Sequence, residues 1–255
     1  MFKFLKKKFL IFQLDSNFFN KKNSINLSLS NLLNQMQIVG PGSISIIVTS
    51  AFFIGLVFSL QIIKEFVYLN AVSLVGSVLT ISFLRELSPV LTSIILIGKV
   101  GSYFTSELAT MKVTEQVDAL YILGINPIYY LVIPRIIALV FILPILNFVS
   151  FVTSLFSSAF ICLILYNIDP KIFFTSVFCI LSVVDIMKSS LKTLIFGFFI
   201  SIISCICGLT TKGGAKGVGL STTSSVVTSL LSVFILDFIL SYYMFNKLDS
   251  LLKIL

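Results

Sequence analysis

The stretch SISIIVTSAFFIGLVFSLQII, residues 43–63, contains no charged side chain and is dominated by Ile, Phe, Leu and Val. An α-helix needs about 20 mainly apolar residues to cross the ~30 Å hydrocarbon core of a bilayer. The apolar run is continuous and does not alternate with polar residues, so it indicates a helix and not a strand of a membrane barrel. Residues 43–63 therefore predict a transmembrane helix.

The rest of the chain has the same apolar character. Of its 255 residues, 57% are hydrophobic and 11% are charged, and the mean hydropathy is +1.10. A water-soluble fold could not keep so much apolar surface away from its exterior. We predict an all-α polytopic membrane protein with about five transmembrane helices, an N-terminal interfacial helix and a coupling helix on the cytoplasmic side.

Four further apolar runs supply the other spans. The second span, 71–100, is interrupted by Arg85, Glu86 and Pro89. The remaining three are predicted at 136–166, 193–209 and 225–245. The sequence GPG at 40–42 breaks the chain before the first span. We therefore divide the chain into a basic, amphipathic interfacial segment, a single membrane domain and a short C-terminal tail, at 1–42, 43–246 and 247–255.

The net charge of +8 is spread over the chain. Lys and Arg flank the apolar runs and do not form one basic domain, so no nucleic-acid partner is expected. They are more numerous in the N-terminal segment and the 99–135 and 210–222 loops, which places these regions inside. The four cysteines lie in apolar runs and the chain has no His, so we expect buried thiols, no metal site and no cofactor.

The segment TEQVDALYILGINP, residues 114–127, is too short and too polar to span a membrane. Thr114 can cap a helix whose first turn holds Glu115 and Asp118. Gly124 can end that helix in a left-handed conformation. The helix would lie on the inner surface and present an acidic face with an apolar side chain, Ile122. This combination favours a protein partner, and a solvated loop helix is the alternative.

The residues that follow carry a resemblance to a known family. DALYILGINPIYYLVIPR, residues 118–135, is similar to the cytoplasmic ATPase-docking loop of ABC-transporter permeases. The longer block 84–139 resembles the MlaE-type lipid-transporter permeases, a family that includes plastid lipid importers. Agreement extends to FIGLVFSLQ (53–61), GGAKGVGLSTTSSVV (213–227) and LDF (236–238). Two positions depart from the family pattern: Lys99 replaces a common arginine and Ser88 a common glycine.

The resemblance implies a permease subunit that is not itself an enzyme. It implies a homodimer, a separate ABC ATPase bound from inside and an MCE-domain lipid-binding protein outside. A membrane lipid, such as a phospholipid or glycolipid precursor, would pass through a cavity at the dimer interface. The loop TKGGAKGVGLST lacks the phosphate-binding pattern G-x-x-x-x-G-K-[ST], in keeping with ATP hydrolysis on a separate chain. Heavy use of Lys, Ile, Asn and Phe is typical of an AT-rich genome, such as that of an organelle or a reduced bacterium. Together with the family, it favours a plastid inner envelope membrane, with a bacterial inner membrane as the alternative.

The same resemblance assigns two groups of site residues. The residues expected to line the lipid cavity are Gln61, Tyr68, Arg85, Glu86 and Pro89. The residues expected to couple the chain to the ATPase are Glu107, Met111, Thr114, Glu115, Asp118, Ile122, Gly124 and Arg135.

Reasoning from the residues alone leaves alternatives open. An ionisable group inside a span costs ~3 kcal/mol and is usually functional, but Glu86 would sit in water if 71–84 were a short outer element. Asp237 is expected to bond a Ser or Thr on a neighbouring span. Arg135 is expected to reach the inner headgroups or to bond carbonyls of the docking helix. An ion-coupled transporter that uses Glu86 and Asp237 without nucleotide is the alternative function.

Overall fold

The structure, a computed structural model, describes residues 29–245. Most of the predicted interfacial segment, residues 1–28, and the whole predicted tail, 247–255, lie outside the described residues. Within these residues, five helical passages have the length and hydropathy to cross a membrane: Ser30–Tyr68, Val72–Val113, Ile128–Tyr166, Val183–Leu209 and Gly214–Met244. The predicted fold class and number of spans are confirmed.

The first passage consists of two helices, α1 (Leu29–Val39) and α2 (Pro41–Tyr68). They are separated at Gly40 alone, so the break predicted at 40–42 is limited to one residue, and Pro41 and Gly42 already belong to α2. Pro41 begins α2, where its missing N–H leaves no hydrogen bond unmade. Met36 and Val39 of α1 pack into the core formed with α7. The interfacial position of α1 remains a prediction.

The second passage is continuous, which corrects the predicted interruption at Arg85, Glu86 and Pro89. It runs through a 3₁₀ turn, three α-helices and two π-helical turns. Pro89 lies in the first turn of its helix, directly after a π turn, so the backbone continues without its N–H. The elements are Val72–Leu74, α3 (Val75–Ser82), Phe83–Leu87 (π), α4 (Ser88–Leu96), Ile97–Gly101 (π) and α5 (Ser102–Val113).

The connection to the third passage contains α6 (Gln116–Ile122). A third π turn, Ile128–Val132, leads into α7 (Ile133–Tyr166). A short helix, α8 (Pro170–Ile180), precedes α9 (Val183–Leu209), and the described chain ends in α10 (Gly214–Phe245).

The predicted fourth and fifth spans begin well after the helices that form them. The fourth begins at Val183 and not at 193, because Asp185 and Lys192 form ion pairs inside the bundle instead of marking a loop. The fifth begins at Gly214 and includes most of the predicted glycine loop. Gly213 and Gly214 have φ angles of +93° and +67°, so the loop conformation ends where α10 begins.

Helices α7 and α9 form the centre of the bundle. α7 packs against α2 and α9, while α9 also contacts α5 and α10, and α8 lies against α3. One apolar cluster joins α4, α5, α7 and α9 through side chains such as Leu96, Phe104, Leu143 and Phe196. Three cysteines are buried as expected, whereas Cys179 on α8 is exposed, which corrects that prediction.

Gly55 allows α2 and α7 to approach closely. A Cβ atom at Gly55 would lie 2.0 Å from the hydroxyl of Ser157 and 2.9 Å from the carbonyl oxygen of Ser154. Gly219 on α10 offers the matched contrast, because a Cβ there would meet nothing within 4 Å.

We expect Gly55→Ala to destabilise the bundle by about 1–3 kcal/mol, because the added methyl group must push α7 away. Gly219→Ala should be neutral or stabilise by roughly 0.5–1 kcal/mol, since it only restricts the unfolded chain. Thermal unfolding of the purified protein in detergent, followed by circular dichroism, measures both effects. Equal unfolding midpoints for the two variants would contradict the close contact of α2 with α7.

Candidate functional site

A buried lysine holds two carboxylates together inside the bundle. The Nζ atom of Lys192, on α9, lies 3.0 Å from Oε2 of Glu86 and 2.6 Å from Oδ1 of Asp237. It also donates hydrogen bonds to the carbonyl oxygen of Arg85 and to the hydroxyl of Ser241, both at 2.9 Å. The Lys192 side chain is completely buried, whereas that of Glu86 is 45% exposed. We call Glu86, Lys192, Asp237 and Ser241 the charge cluster.

A second ion pair lies next to the charge cluster. Nη2 of Arg85 lies 3.3 Å from both carboxylate oxygens of Asp185, in the first turn of α9. The N–H of Asp185 donates to the hydroxyl of Ser182, which in turn donates to the Asp185 carboxylate, so Ser182 caps α9. The neighbours Arg85 and Glu86 therefore bind two different partners on the same helix.

The π turn Phe83–Leu87 supplies both Arg85 and Glu86 and is continuous with α4. The alternative in which 71–84 is a separate outer element that ends at Arg85 is therefore wrong. Lys192 follows the start of α9 at Val183 by nine residues, about 14 Å along a helix. The charge cluster thus lies within the helical passages and not beyond their ends.

The expected partner of Asp237 was also wrong. Asp237 pairs with Lys192 and not primarily with a Ser or Thr on a neighbouring span. Sequence reasoning missed Lys192, Asp185 and Ser241 as partners. The available signal was that Glu86, Lys192 and Asp237 are ionisable groups next to apolar runs, where charges are expected to pair with one another.

The other residues predicted to line the cavity are spread over two helices. Pro89 is buried in α4, one turn after Arg85. Gln61 and Tyr68 are exposed on α2, and Tyr68 lines a surface cavity with Lys64, Glu65 and Val67. Hydrogen bonds and ion pairs link Arg85 and Glu86 to α9 and α10, so the structure does not bring all five residues into one network.

The short helix α6 carries an exposed apolar patch. Val117 is buried, while Ile122 is 87% exposed and Tyr121, Leu123 and Ile125 are exposed beside it. Gly124 follows the helix with a φ of +76°, as predicted for its C-terminal end. The patch Tyr121, Ile122, Leu123 and Ile125 is one that a partner could cover.

The predicted start of the helix needs correction. Glu115, with a φ of +59°, precedes Gln116, and no side chain caps the helix. The Thr114 hydroxyl instead donates to the carbonyl oxygen of Thr110 at the end of α5. Asp118 is exposed and its carboxylate lies 2.7 Å from Nζ of Lys112, so this part of the acidic face is partly neutralised. Met111 lies half-buried on α5.

Arg135 is buried at the start of α7. Its Nη2 lies 2.7 Å from Oε2 of Glu107 on α5, and its Nη1 donates to the carbonyl oxygen of Leu131 at 3.3 Å. The guanidinium carbon lies 5.8 Å from the ring centroid of Phe104. With 2% of its side chain exposed, Arg135 does not reach outward to headgroups, and its carbonyl partner belongs to the π turn and not to α6. Both expectations for Arg135 were wrong.

Five passages in the described part of the chain that can cross a membrane, with ionisable groups paired in their interior, define a polytopic integral membrane protein. Comparison with known families gives a match to permease MlaE over residues 32–243. A probable ABC transporter permease protein of Pyropia yezoensis is 51% identical over 89% of this chain and 86% of its own length. A protein of the same description from Synechocystis is 49% identical over 85% and 82%.

The chain belongs to the MlaE permease family of ABC transporters. It is also 44% identical to the Arabidopsis thaliana protein trigalactosyldiacylglycerol 1, chloroplastic, over 88% of this chain and 64% of that protein.

Proposed function

We propose that this chain is the permease subunit of an ABC-type lipid transporter and couples ATP hydrolysis on a separate subunit to lipid movement. The observation that carries the proposal is the exposed apolar patch on α6, in the connection between the second and third passages of an MlaE-family permease. Of the described residues, Ile122 is among the most exposed large apolar side chains, although α6 is too short to be a span.

The ATPase would bind α6 from the inner side. Ile122 would enter an apolar pocket of the ATPase, because buried apolar anchors supply most of the binding energy of protein interfaces. Glu115 and Asp118 would meet basic groups of the ATPase at the rim of the contact. Met111, Thr114 and Gly124 would set the position and ends of this contact surface.

The lipid cavity would lie beside the charge cluster. The half-exposed side chain of Glu86 supports this placement, because its carboxylate is held by Lys192 while part of it remains open. Arg85 and Pro89 would shape the same wall, and Gln61 and Tyr68 would line the outer part of the route. The ligand class is a membrane phospholipid or glycolipid precursor, and the name of the Arabidopsis relative contains a glycolipid.

Two identical permeases would enclose the cavity. Only 17% of the most apolar part of the last passage is buried within one chain, so this helix offers a broad face to a second copy. An MCE-domain protein would exchange lipid at the outer side. The chloroplast relative favours a plastid inner envelope membrane, and the Synechocystis relative keeps a bacterial inner membrane as the alternative.

Purification of the tagged chain from its native membrane tests the proposal. We expect mass spectrometry to identify an ABC ATPase, an MCE-domain protein and bound membrane lipid in the purified complex. Transport that needs an ion gradient but no ATP, in vesicles containing the purified chain alone, would instead favour the ion-coupled alternative. Absence of a nucleotide-binding subunit and of lipid would contradict the proposal.

A further inference from the structure

An ion pair between Glu107 and Arg135 joins the two ends of the segment that contains α6. They are 28 residues apart in the chain, yet their side chains meet at 2.7 Å, on the last turns of α5 and the first turn of α7. Everything between them, including α6 and the third π turn, therefore forms a loop whose two ends are fixed to each other.

Arg135 has two binding partners that belong to different elements. Nη2 binds the Glu107 carboxylate on α5, and Nη1 binds the carbonyl oxygen of Leu131 in the π turn Ile128–Val132. The ring of Phe104, itself fully buried, covers the guanidinium. A planar guanidinium can make such divergent bonds at fixed angles, whereas an ammonium group is a point charge.

The other ion pair of this connection differs in its surroundings. Lys112 and Asp118 have side chains that are 33% and 51% exposed, and they link the end of α5 to α6 only. Exposed pairs are screened by water and hold geometry weakly. In the Glu107–Arg135 pair, Arg135 is buried and the Glu107 side chain is 27% exposed, and of the two pairs this is the one that joins the two membrane-crossing passages.

We propose that Glu107 and Arg135 are positioning residues that make no contact with the ATPase. The pair holds the ends of α5 and α7 together, so that a push on α6 moves both passages as one unit. Without the pair, α6 would still bind the ATPase, but its displacement would be absorbed by the 123–132 connection. This inference rests on the proposed docking of an ATPase at α6.

The sequence around α6 is built to pass on such a displacement. The N–H of Ile125 donates to the carbonyl oxygen of Leu120, and Asn126 accepts a hydrogen bond from the N–H of Ile128. Val117 anchors α6 to the bundle through its buried side chain. These local hydrogen bonds connect α6 to the π turn without a gap. Arg135 binds that turn through the carbonyl oxygen of Leu131.

The test uses the whole transporter, co-purified with its ATPase in vesicles of phosphatidylcholine and phosphatidylglycerol. The variants are Glu107→Gln, which leaves the buried guanidinium without its counter-charge, and the double variant Glu107→Gln with Arg135→Met. The double variant removes both charges, and such replacements of buried pairs by neutral groups often preserve stability. Asp169→Asn, an exposed acid at the start of α8, is the matched control.

Three measurements separate positioning from folding: the amount of bound ATPase, the unfolding midpoint, and hydrogen–deuterium exchange with and without ATP and vanadate. In wild type and Asp169→Asn, nucleotide should change exchange in α6, in α5 and at the start of α7. In the double variant we expect wild-type ATPase binding and a near-wild-type midpoint. In the double variant, the nucleotide-dependent change in exchange in α5 and α7 should fall about tenfold, within the range of site-to-site coupling. In a further variant, Arg135→Lys, this change should lie between those of wild type and the double variant.

A double variant that keeps the full nucleotide response in α5 and α7 would overturn the inference and leave the proposed function standing. Loss of ATPase binding in the double variant would also overturn it, because the pair would then belong to the docking surface. Failure of wild type to bind any ATPase would overturn the proposed function together with the inference.

Discussion

Replacing Lys192 with Met should destabilise the protein by about 3–5 kcal/mol, the usual cost of removing one partner from a buried ion pair. Nζ of Lys192 contacts two carboxylates, one hydroxyl and one carbonyl oxygen. Without it, the mostly buried Asp237 carboxylate loses its cation and faces the half-exposed Glu86 carboxylate directly. The measurement is the midpoint of thermal unfolding in detergent, with retention of the monodisperse species on size exclusion as a second readout.

Two companion variants show whether the charge is responsible. Lys216→Met, which removes an exposed lysine near the start of α10, should change stability by less than about 0.5 kcal/mol. Adding Glu86→Gln and Asp237→Asn to Lys192→Met should recover most of the loss, because no uncompensated charge then remains. A triple variant as unstable as Lys192→Met would mean that the shape of the lysine, and not its charge, matters.

Replacing Ile122 with Asp should prevent the ATPase from co-purifying with the permease. An anchor residue at the centre of an interface contributes about 2–4 kcal/mol, a loss of roughly 30- to 1,000-fold in affinity. Ile122 is 87% exposed and packs against nothing essential in the isolated chain, so the fold should be unaffected. The readout is the ratio of ATPase to permease after affinity purification.

The control for this prediction is Leu69→Asp, at an exposed apolar position in the turn after α2, on the predicted outer side. It introduces the same charge and should leave the ratio unchanged. Reversing the acidic face with Glu115→Lys and Asp118→Lys should weaken binding as well, and more strongly at low salt. Retained ATPase in both the Ile122→Asp and the reversed variants would show that α6 is not the docking surface.

The spans could be predicted because hydropathy over about 20 residues is a local property of the sequence. The start of α9 was misplaced for a reason that is not local. Lys192 looks like the end of a loop until Glu86, 106 residues earlier in the chain, is seen to neutralise it. The start of α10 was misplaced because Gly217 and Gly219, of a residue type that usually marks loops, lie inside the helix here.

The sequence showed that ionisable residues of the candidate site lie within the spans, but it did not show which of them form ion pairs with one another. Adjacent residues on a helix do not face each other, so Arg85 and Glu86 each need a separate partner, and the structure supplies Asp185 and Lys192. Nothing in the chain near Arg135 indicates that its counter-ion is Glu107, because the two residues meet only when α5 and α7 pack. Thr114 has the residue type of a helix cap, yet a left-handed Glu115 precedes α6, a conformation that residue preferences disfavour.

The π turns within the second passage set its tolerance to changes in length. Each holds a wider ring than the α-helix around it, as if one residue had been inserted without interrupting the backbone. Loss of one residue from Phe83–Leu87 would turn the π turn into a regular α-helical turn and leave the downstream helix close to its present orientation. Loss of one residue from an α-helical part of the passage would instead rotate everything downstream by about 100° about the helix axis. The π turns are therefore the places where this passage can lose a residue without redirecting its later side chains, but a loss at Phe83–Leu87 would move Arg85 and Glu86 themselves.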